Sequence, residues 1–196
     1  MTEHKGLPIL DFASLRDWEA WLATEAERSA GLWLKMAKKT AGVATVSKAE
    51  AIEGAIAFGW IDGQLDRFDE AFWLIRFTPR GPRSKWSQNN RDTAGRLMAE
   101  GRVRPRGLAE IDAAKADGRW DAAYAPQAKA DVPPDLQAAL AANPAAKAFF
   151  DTLRGANRYA ILYRLHDAKT AKTRAARLKR FVDMLARGET IHPAGS

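Results

Sequence analysis

Hydrophobic residues recur at two different spacings in the first 86 residues, and each spacing predicts a different element. After Ser14, apolar residues return every three or four positions, at Leu15, Trp18, Trp21 and Leu22. This period predicts an amphipathic helix with Ser14 as its N-cap. A second helix of the same kind is predicted over 48–59, capped by Ser47.

Strand-like alternation appears in three places. Leu32, Leu34 and Met36 alternate with Trp33 and Lys35, which is the period of a strand. Two further strands are predicted over 60–68 and 72–78. They are separated by three residues, so we expect them to form an antiparallel hairpin.

The pattern from Ser87 onward is helical. Helices are predicted over 87–100, 107–117, 135–142, 144–153, 157–168 and 173–187. The sequence therefore predicts an α+β fold, with a small antiparallel sheet and two helices followed by a C-terminal helical unit. We expect three regions: an α+β unit over 1–86, basic connecting helices and a loop over 87–134, and a helical unit over 135–196.

Positive charge is concentrated in the segment 76–106. The chain has 31 Lys and Arg against 24 Asp and Glu. Nine of those cations lie in this segment: Arg76, Arg80, Arg83, Lys85, Arg91, Arg96, Arg102, Arg104 and Arg106. Only Asp92 and Glu100 oppose them, so the segment nets +7 and the rest of the chain is neutral. Concentrated charge attracts anionic partners.

Several kinds of chemistry are excluded by composition. The chain has no cysteine, and His166 is its only histidine away from the ends, so neither a zinc-thiolate site nor a Cys-His dyad is available. Phosphate-binding and dinucleotide-binding glycine motifs are absent, and we expect no cofactor and no metal. Without a signal peptide or an apolar run of roughly 20 residues, we expect a cytoplasmic protein with no transmembrane segment.

Short motifs along the chain resemble a known family. They comprise Gly59-Trp60-Ile61-Asp62-Gly63, Phe77-Thr78-Pro79-Arg80 with Trp86, Ser87 and Asn90, Asp117-Gly118-Arg119-Trp120, Val132-Pro133 with Asp135-Leu136, and Thr173-Arg174. In this order and spacing they resemble the bacterial YdeI/OmpD-associated family, often labelled bacteriocin-protection. The resemblance spans roughly residues 7 to 190.

The resemblance implies a role in stress and antimicrobial-peptide resistance, and it links the family to an outer-membrane porin. It therefore implies an envelope protein as one partner. No catalytic reaction is established for the family, so the resemblance favours a non-catalytic protein.

The loop 77–90 is the main candidate for anion binding. Pro79, Gly81 and Pro82 favour an extended loop, while Arg80, Arg83 and Lys85 make it cationic. Ser87 then opens a helix, and helix N-termini attract phosphate, sulfate and carboxylate groups. The alternative is structural, with Trp86 as a hydrophobic anchor, Ser87 as an ordinary cap and the arginines paired with acids.

Two residues outside the loop extend this candidate site. Asp62 is either a general base or clamp near the arginines, or a residue that caps a turn or forms an ion pair. Arg174 lies on the apolar side of the last helix, where it reaches either a carboxylate or the interdomain groove. The candidate binding residues are Asp62, Arg80, Arg83, Lys85, Trp86, Ser87, Asn90, Arg91 and Arg174.

Two functions follow from these residues. The favoured one is a non-catalytic protein that binds nucleic acid, a phosphorylated ligand or an acidic protein surface through its Arg-rich region. The alternative is an enzyme that acts on a small phosphorylated or carboxylated substrate in the interdomain groove, using Asp62 and the clustered arginines.

Overall fold

The computed structural model describes residues 2–193 and divides the chain into two compact units, the first ending at Ala123 and the second beginning at Tyr124. The two helices expected in a separate connecting region over 87–134 fall in the first unit. Their apolar residues Ala94, Leu97, Ile111 and Ala114 are buried in that unit's core. The division therefore falls after these helices rather than before them.

The first unit is a five-stranded sheet with four α-helices. In chain order its elements are β1 (Glu3–His4), β2 (Leu7–Leu10), α1 (Leu15–Glu25), β3 (Leu32–Ala37), a 3-10 turn (Lys39–Ala41), α2 (Lys48–Ala57), β4 (Trp60–Arg67), β5 (Phe72–Pro79), α3 (Gln88–Ala99) and α4 (Pro105–Ala116). The strand order is β1-β2-β3-β5-β4.

The predicted antiparallel hairpin is confirmed, since β4 pairs with β5 from Trp60 opposite Pro79 to Arg67 opposite Trp73. The sequence did not predict β1 and β2. Their turn uses Lys5 and Gly6 at φ 48° and 76°, a conformation typical of two-residue hairpins. Strand β2 then pairs with β3 in parallel, so the sheet is mixed rather than purely antiparallel.

The core of the first unit lies on the sheet face that carries Leu32, Leu34, Ile75 and Phe77. Two buried tryptophans cross-link it to the helices. The indole of Trp18 donates to the carbonyl of Ala51 at 3.0 Å, and that of Trp60 donates to the carbonyl of Ala26 at 3.1 Å. An indole N–H that is buried usually finds an acceptor of this kind, and these two bonds fix α1 against α2 and β4.

Helices α2 and α4 approach each other closely at Gly107. A Cβ on Gly107 would overlap the backbone carbonyl of Ala57 and stand 2.8 Å from Cγ1 of Val103. The backbone amide of Arg104 donates to the same Ala57 carbonyl at 2.9 Å. Glycine is therefore required for this contact, and the contact places the N-terminus of α4 at the end of α2.

The second unit is helical. It contains a 3-10 turn (Gln127–Lys129), α5 (Pro134–Ala141), α6 (Pro144–Thr152), α7 (Gly155–His166) and α8 (Ala171–Ala186). Its separate core is built around Leu136, Phe150, Ile161, Leu165 and Phe181. The predicted C-terminal helical unit is thus confirmed.

Arg174 joins three helices within the second unit. Its Nε and Nη2 donate to the carboxylate of Asp135 at 2.6 and 2.8 Å, and its Nη1 donates to the carbonyl of Leu165 at 2.8 Å. The hydrogen bonds from Arg174 hold the pKa of the Asp135 carboxyl below its usual range, against the opposing effect of partial burial.

Two features are absent from the described residues. Within 2–193, no helix has the length and apolar character to cross a membrane. The same residues contain no group of three or more acidic or histidine side chains arranged to hold a metal ion.

We expect Gly107→Ala to destabilise the first unit by roughly 1–3 kcal/mol, because the added methyl group overpacks the contact with α2. Gly95→Ala in α3 is the matched control, since nothing lies within 4 Å of its Cβ position and alanine favours a helix interior by about 0.5–1 kcal/mol. Chemical denaturation of both variants measures the difference. Equal stability of the two variants would show that the close contact is not energetically important.

We expect Asp135→Asn to lower stability by ~1 kcal/mol near neutral pH, a small value because the paired side chains are 32% and 37% exposed. The pKa of Asp135 is lower in the folded than in the unfolded protein. The pair therefore stabilises the fold fully above the unfolded pKa of about 3.9. This contribution disappears as the pH falls through the lower pKa of the folded state. Denaturation at several pH values should therefore show the two proteins converging in acid.

Asp131→Asn provides the control for this experiment, since Asp131 is exposed and takes part in no ion pair among the described residues. A deficit of Asp135→Asn that stays constant down to strongly acidic pH would contradict the assignment to the Arg174 pair.

Candidate functional site

Arg80, the first candidate cation of the loop 77–90, is buried in the structure. Its side chain is part of a residue only 4% exposed, and its guanidinium carbon lies 3.6 Å from the ring centroid of Trp86. Nη1 donates to the carbonyl of Lys85 at 3.2 Å. Because a desolvated guanidinium on a tryptophan face is strongly stabilising, Arg80 holds the loop in place.

Two further arginines fasten the same loop to the end of the first unit. The ring of Trp86 lies 4.9 Å from that of Trp120, and Arg91 donates to the Trp120 carbonyl at 2.9 Å. Arg119 donates to the carbonyl of Ser84 at 2.9 Å. These contacts hold the loop against the end of the first unit. The residues involved are Arg80, Trp86, Arg91, Arg119 and Trp120.

The N-terminus of α3 is capped by its own chain. Ser87 Oγ accepts the backbone amide of Asn90 at 3.1 Å, which satisfies one of the free donors that an anion would otherwise take. Arg83 and Lys85 are the exposed cations of the loop. The start of α3 is therefore capped by Ser87, and the loop before it is held in place by the hydrogen bonds of Arg80, Arg91 and Arg119.

Asp62 lies on β4, opposite Phe77 in the strand ladder and next to a register irregularity. No side-chain hydrogen bond or ion pair among the described residues involves Asp62. Its neighbours along the strand are engaged elsewhere: Asp66 binds Lys5 at 2.7 Å and His4 at 2.9 Å, and these hydrogen bonds lower the Asp66 pKa to about 2. Arg174 lies in the second unit, bound to Asp135.

Two cations of the segment 76–106 are neutralised by carboxylates from distant helices. Arg102 contacts Glu19 at 3.2 Å, Glu53 at 3.5 Å and Glu100 at 3.3 Å. Arg96 binds Glu53 and also Glu100, the latter at 3.1 Å. Glu19 and Glu53 come from α1 and α2, so acids from outside the segment offset part of its positive charge in the fold.

Three other arginines line a groove between the end of α1 and the start of α4, which we call the α1–α4 groove. Its volume is about 460 Å³, and its lining includes Arg28, Arg104 and Arg106, with Glu27 as the single acid. Apolar lining comes from Leu22, Ala26, Phe58 and Pro105. Three guanidinium groups therefore share one concave surface with a partly apolar wall.

The local structure explains how these arginines are positioned. Arg106 donates from Nη1 to the Ala26 carbonyl at 3.0 Å, which anchors it at the end of α1, and Arg104 lies over the Phe58 ring at 5.7 Å. Arg104 is also the N-cap of α4, where no side chain caps the helix and Pro105 occupies the first turn. The partial positive charge of this helix end adds to that of the arginines.

The lining of the α1–α4 groove is dominated by arginine among its polar side chains. Counting only residues 2–193, it contains no histidine or serine, one carboxylate, that of Glu27, and one hydroxyl, that of Thr24. Arginine recognises carboxylate and phosphate through paired hydrogen bonds. Arg28, Arg104 and Arg106 bring donors of this kind to the groove.

Sequence reasoning did not select Arg28, Arg104 or Arg106 as site residues. One signal in the sequence could have placed Arg104. Proline is favoured in the first turn of a helix, so Pro105 indicates that Arg104 lies at the start of a helix. The helix was instead predicted to begin at Gly107. Arg28 gave no signal, since it lies far from the basic segment along the chain.

Comparisons with known families match two parts of the chain. The family described as Domain of unknown function (DUF8412) matches residues 10–110. The family described as Bacteriocin-protection, YdeI or OmpD-Associated (OmdA) matches residues 129–188. No curated protein and no solved structure matches the chain.

We expect Arg80→Ala to destabilise the first unit by roughly 2–4 kcal/mol, because it removes a desolvated cation–π contact and a hydrogen bond from the core. Arg83→Ala, three residues along the same loop and exposed, should change stability by less than about 0.5 kcal/mol. Thermal and urea unfolding of the two variants separates these outcomes. Equal losses would show that Arg80 is no more structural than its exposed neighbour.

Proposed function

We propose that this chain, which belongs to the DUF8412 family through its N-terminal half and carries a C-terminal OmdA domain of the bacteriocin-protection, YdeI or OmpD-associated family, is a non-catalytic protein that binds a small anion. The proposed site is the α1–α4 groove. The ligand class is a phosphorylated or carboxylated small molecule. The link to stress and antimicrobial-peptide resistance that the OmdA resemblance implies stays a prediction.

The observation that carries the proposal is the convergence of Arg28, Arg104 and Arg106 on one cavity of about 460 Å³. This volume lies within the range typical of small-molecule sites. Among the residues that the structure describes, none of these three arginines takes part in an ion pair. Their charge is thus available to a ligand, whereas that of Arg96 and Arg102 is already balanced.

The shape of the groove favours a small ligand over a polymer. Its three cations surround a concavity instead of forming a row, and Leu22, Phe58 and Pro105 add apolar contact area. A phosphate or carboxylate group would take the paired donors of Arg28 and Arg104, while Arg106 stays fixed to the Ala26 carbonyl.

The alternative of an enzyme that uses Asp62 with Arg80, Arg83 and Arg174 has weaker support. Arg80 is stacked on Trp86, and Arg174 is bound to Asp135. We therefore favour binding without catalysis.

Isothermal titration at constant ionic strength, with inorganic phosphate and benzoate as probes, tests the proposal. We expect saturable binding of at least one probe to the full chain. The double variant Arg28→Ala/Arg104→Ala should weaken that binding by at least about tenfold, because each lost charged hydrogen bond costs roughly 1.5–3 kcal/mol. Both residues are exposed, so the variant should remain folded.

The matched control is Arg16→Ala/Arg83→Ala, which removes the same charge at two exposed positions outside the groove. It should retain the binding of the unmodified chain. Loss of binding in this control would place the site outside the groove, and equal affinity of the groove variant and the unmodified chain would refute the α1–α4 groove.

A further inference from the structure

Most of the excess positive charge of the chain lies in the second unit. Up to Ala123 there are 19 Lys and Arg against 18 Asp and Glu, a net charge of +1. From Tyr124 onward there are 12 against six, a net charge of +6. The acids of the first unit thus nearly balance the basic segment 76–106. The second unit, by contrast, has twice as many cations as acids.

Most of the acids in the second unit already form ion pairs within it. Five of the six each lie within ion-pair distance of a cation, in the pairs Asp135–Arg174, Asp151–Lys147, Asp167–Arg177, Asp183–Lys179 and Glu189–Arg187. Over the described part of this unit, neither Lys172 nor Arg180 takes part in an ion pair. Both are exposed, so their charge faces solvent.

Lys172 and Arg180 border a shallow groove on α8. The groove has a volume of about 370 Å³ and is lined by Lys172, Thr173, Ala176, Arg177 and Arg180. Lys172, Ala176 and Arg180 are four residues apart and share one side of the helix. The two outer cations are therefore separated by about 12 Å along the axis, and Arg177 lies between them along the helix.

Arg177 is held in a fixed position within this row. Its Nη1 donates to the carbonyl of Arg164 at 2.6 Å, and it lies 4.0 Å from the carboxylate of Asp167. The small Ala176 leaves room between the long side chains. The result is a row of three cations along an open, shallow surface, which differs from the concave α1–α4 groove.

We propose that this surface of α8 docks the phosphate backbone of a nucleic acid. A single small anion does not span a row of about 12 Å, whereas one strand of a duplex presents a phosphate about every 3.4 Å along its axis. None of the described residues that line the groove is aromatic, so they offer no surface for base stacking. Binding is therefore electrostatic and independent of sequence. The proposal does not depend on the α1–α4 groove.

The apolar side of α8 argues against a lipid surface as the partner. Phe181 and Leu185 are 0% exposed in the core of the unit, so they cannot enter a membrane. Peripheral membrane helices place such side chains at the acyl boundary. The groove itself offers only Ala176 as an apolar group, so the α8 surface lacks a membrane anchor.

Fluorescence anisotropy of a labelled 20-base-pair duplex, titrated with the full chain, tests the proposal. With Lys172 and Arg180 each neutralising one phosphate, affinity should fall roughly 12-fold between about 50 and about 200 mM salt. In Lys172→Ala/Arg180→Ala only Arg177 remains, and its charge is shared with Asp167, so the fall should shrink to less than roughly fourfold. The affinity of this variant at the lower salt concentration should be about tenfold weaker.

Lys179→Ala/Arg187→Ala is the matched control, because it removes two cations of the same region that are paired with Asp183 and Glu189. It should retain the salt dependence of the unmodified chain, and Arg28→Ala/Arg104→Ala should retain it as well. No binding at about 50 mM salt, or equal losses in the test and control variants, would overturn the proposal.

Two competitors determine the chemical class of the partner. Vesicles of phosphatidylglycerol and polyglutamate should each displace the duplex only at a much higher concentration of charge than unlabelled duplex does. Displacement by either competitor at an equal concentration of charge would show that the surface does not select a phosphate backbone, and would reject the nucleic-acid assignment.

Discussion

The stack of the Arg80 guanidinium on the Trp86 ring is the interaction on which the first unit depends. It buries a permanent cation at 4% exposure, and the aromatic face and the Lys85 carbonyl offset part of the cost of removing water from it. Trp120, Arg91 and Arg119 then close around the same ring. The loop 77–90 is thereby connected to α3 through Arg91 and to the residues that follow α4.

Charge in this protein has a different distribution in the fold than in the sequence. Along the chain, the segment 76–106 holds the whole excess. In the fold, Glu19 and Glu53 approach Arg96 and Arg102 from other helices, because the apolar stripes of α1 and α2 must pack in the same core. The first unit is left nearly neutral, with Arg28, Arg104 and Arg106 gathered at the α1–α4 groove, while the second unit retains the larger net charge.

Local patterns were sufficient to predict the helices and the main hairpin. Ser14, Ser47 and Ser87 each cap the helix predicted for them, because the side-chain cap and the apolar period are properties of neighbouring residues. Strands β1 and β2 were missed, since two to four residues carry too little periodicity. The candidate loop was identified as cationic, but whether an arginine points to solvent or stacks on a tryptophan depends on residues far along the chain.

The sequence alone determined the α+β class, the helical C-terminal unit, the basic character and the family resemblance, because these follow from composition, short-range periodicity and motifs. The tertiary structure decided where the chain divides, which arginines are buried or balanced, and which share a surface. These properties depend on contacts such as Arg102 with Glu19 and Arg106 with the Ala26 carbonyl, whose partners lie about 80 positions apart along the chain. Packing of the core brings such residues together, and no local pattern encodes their distance.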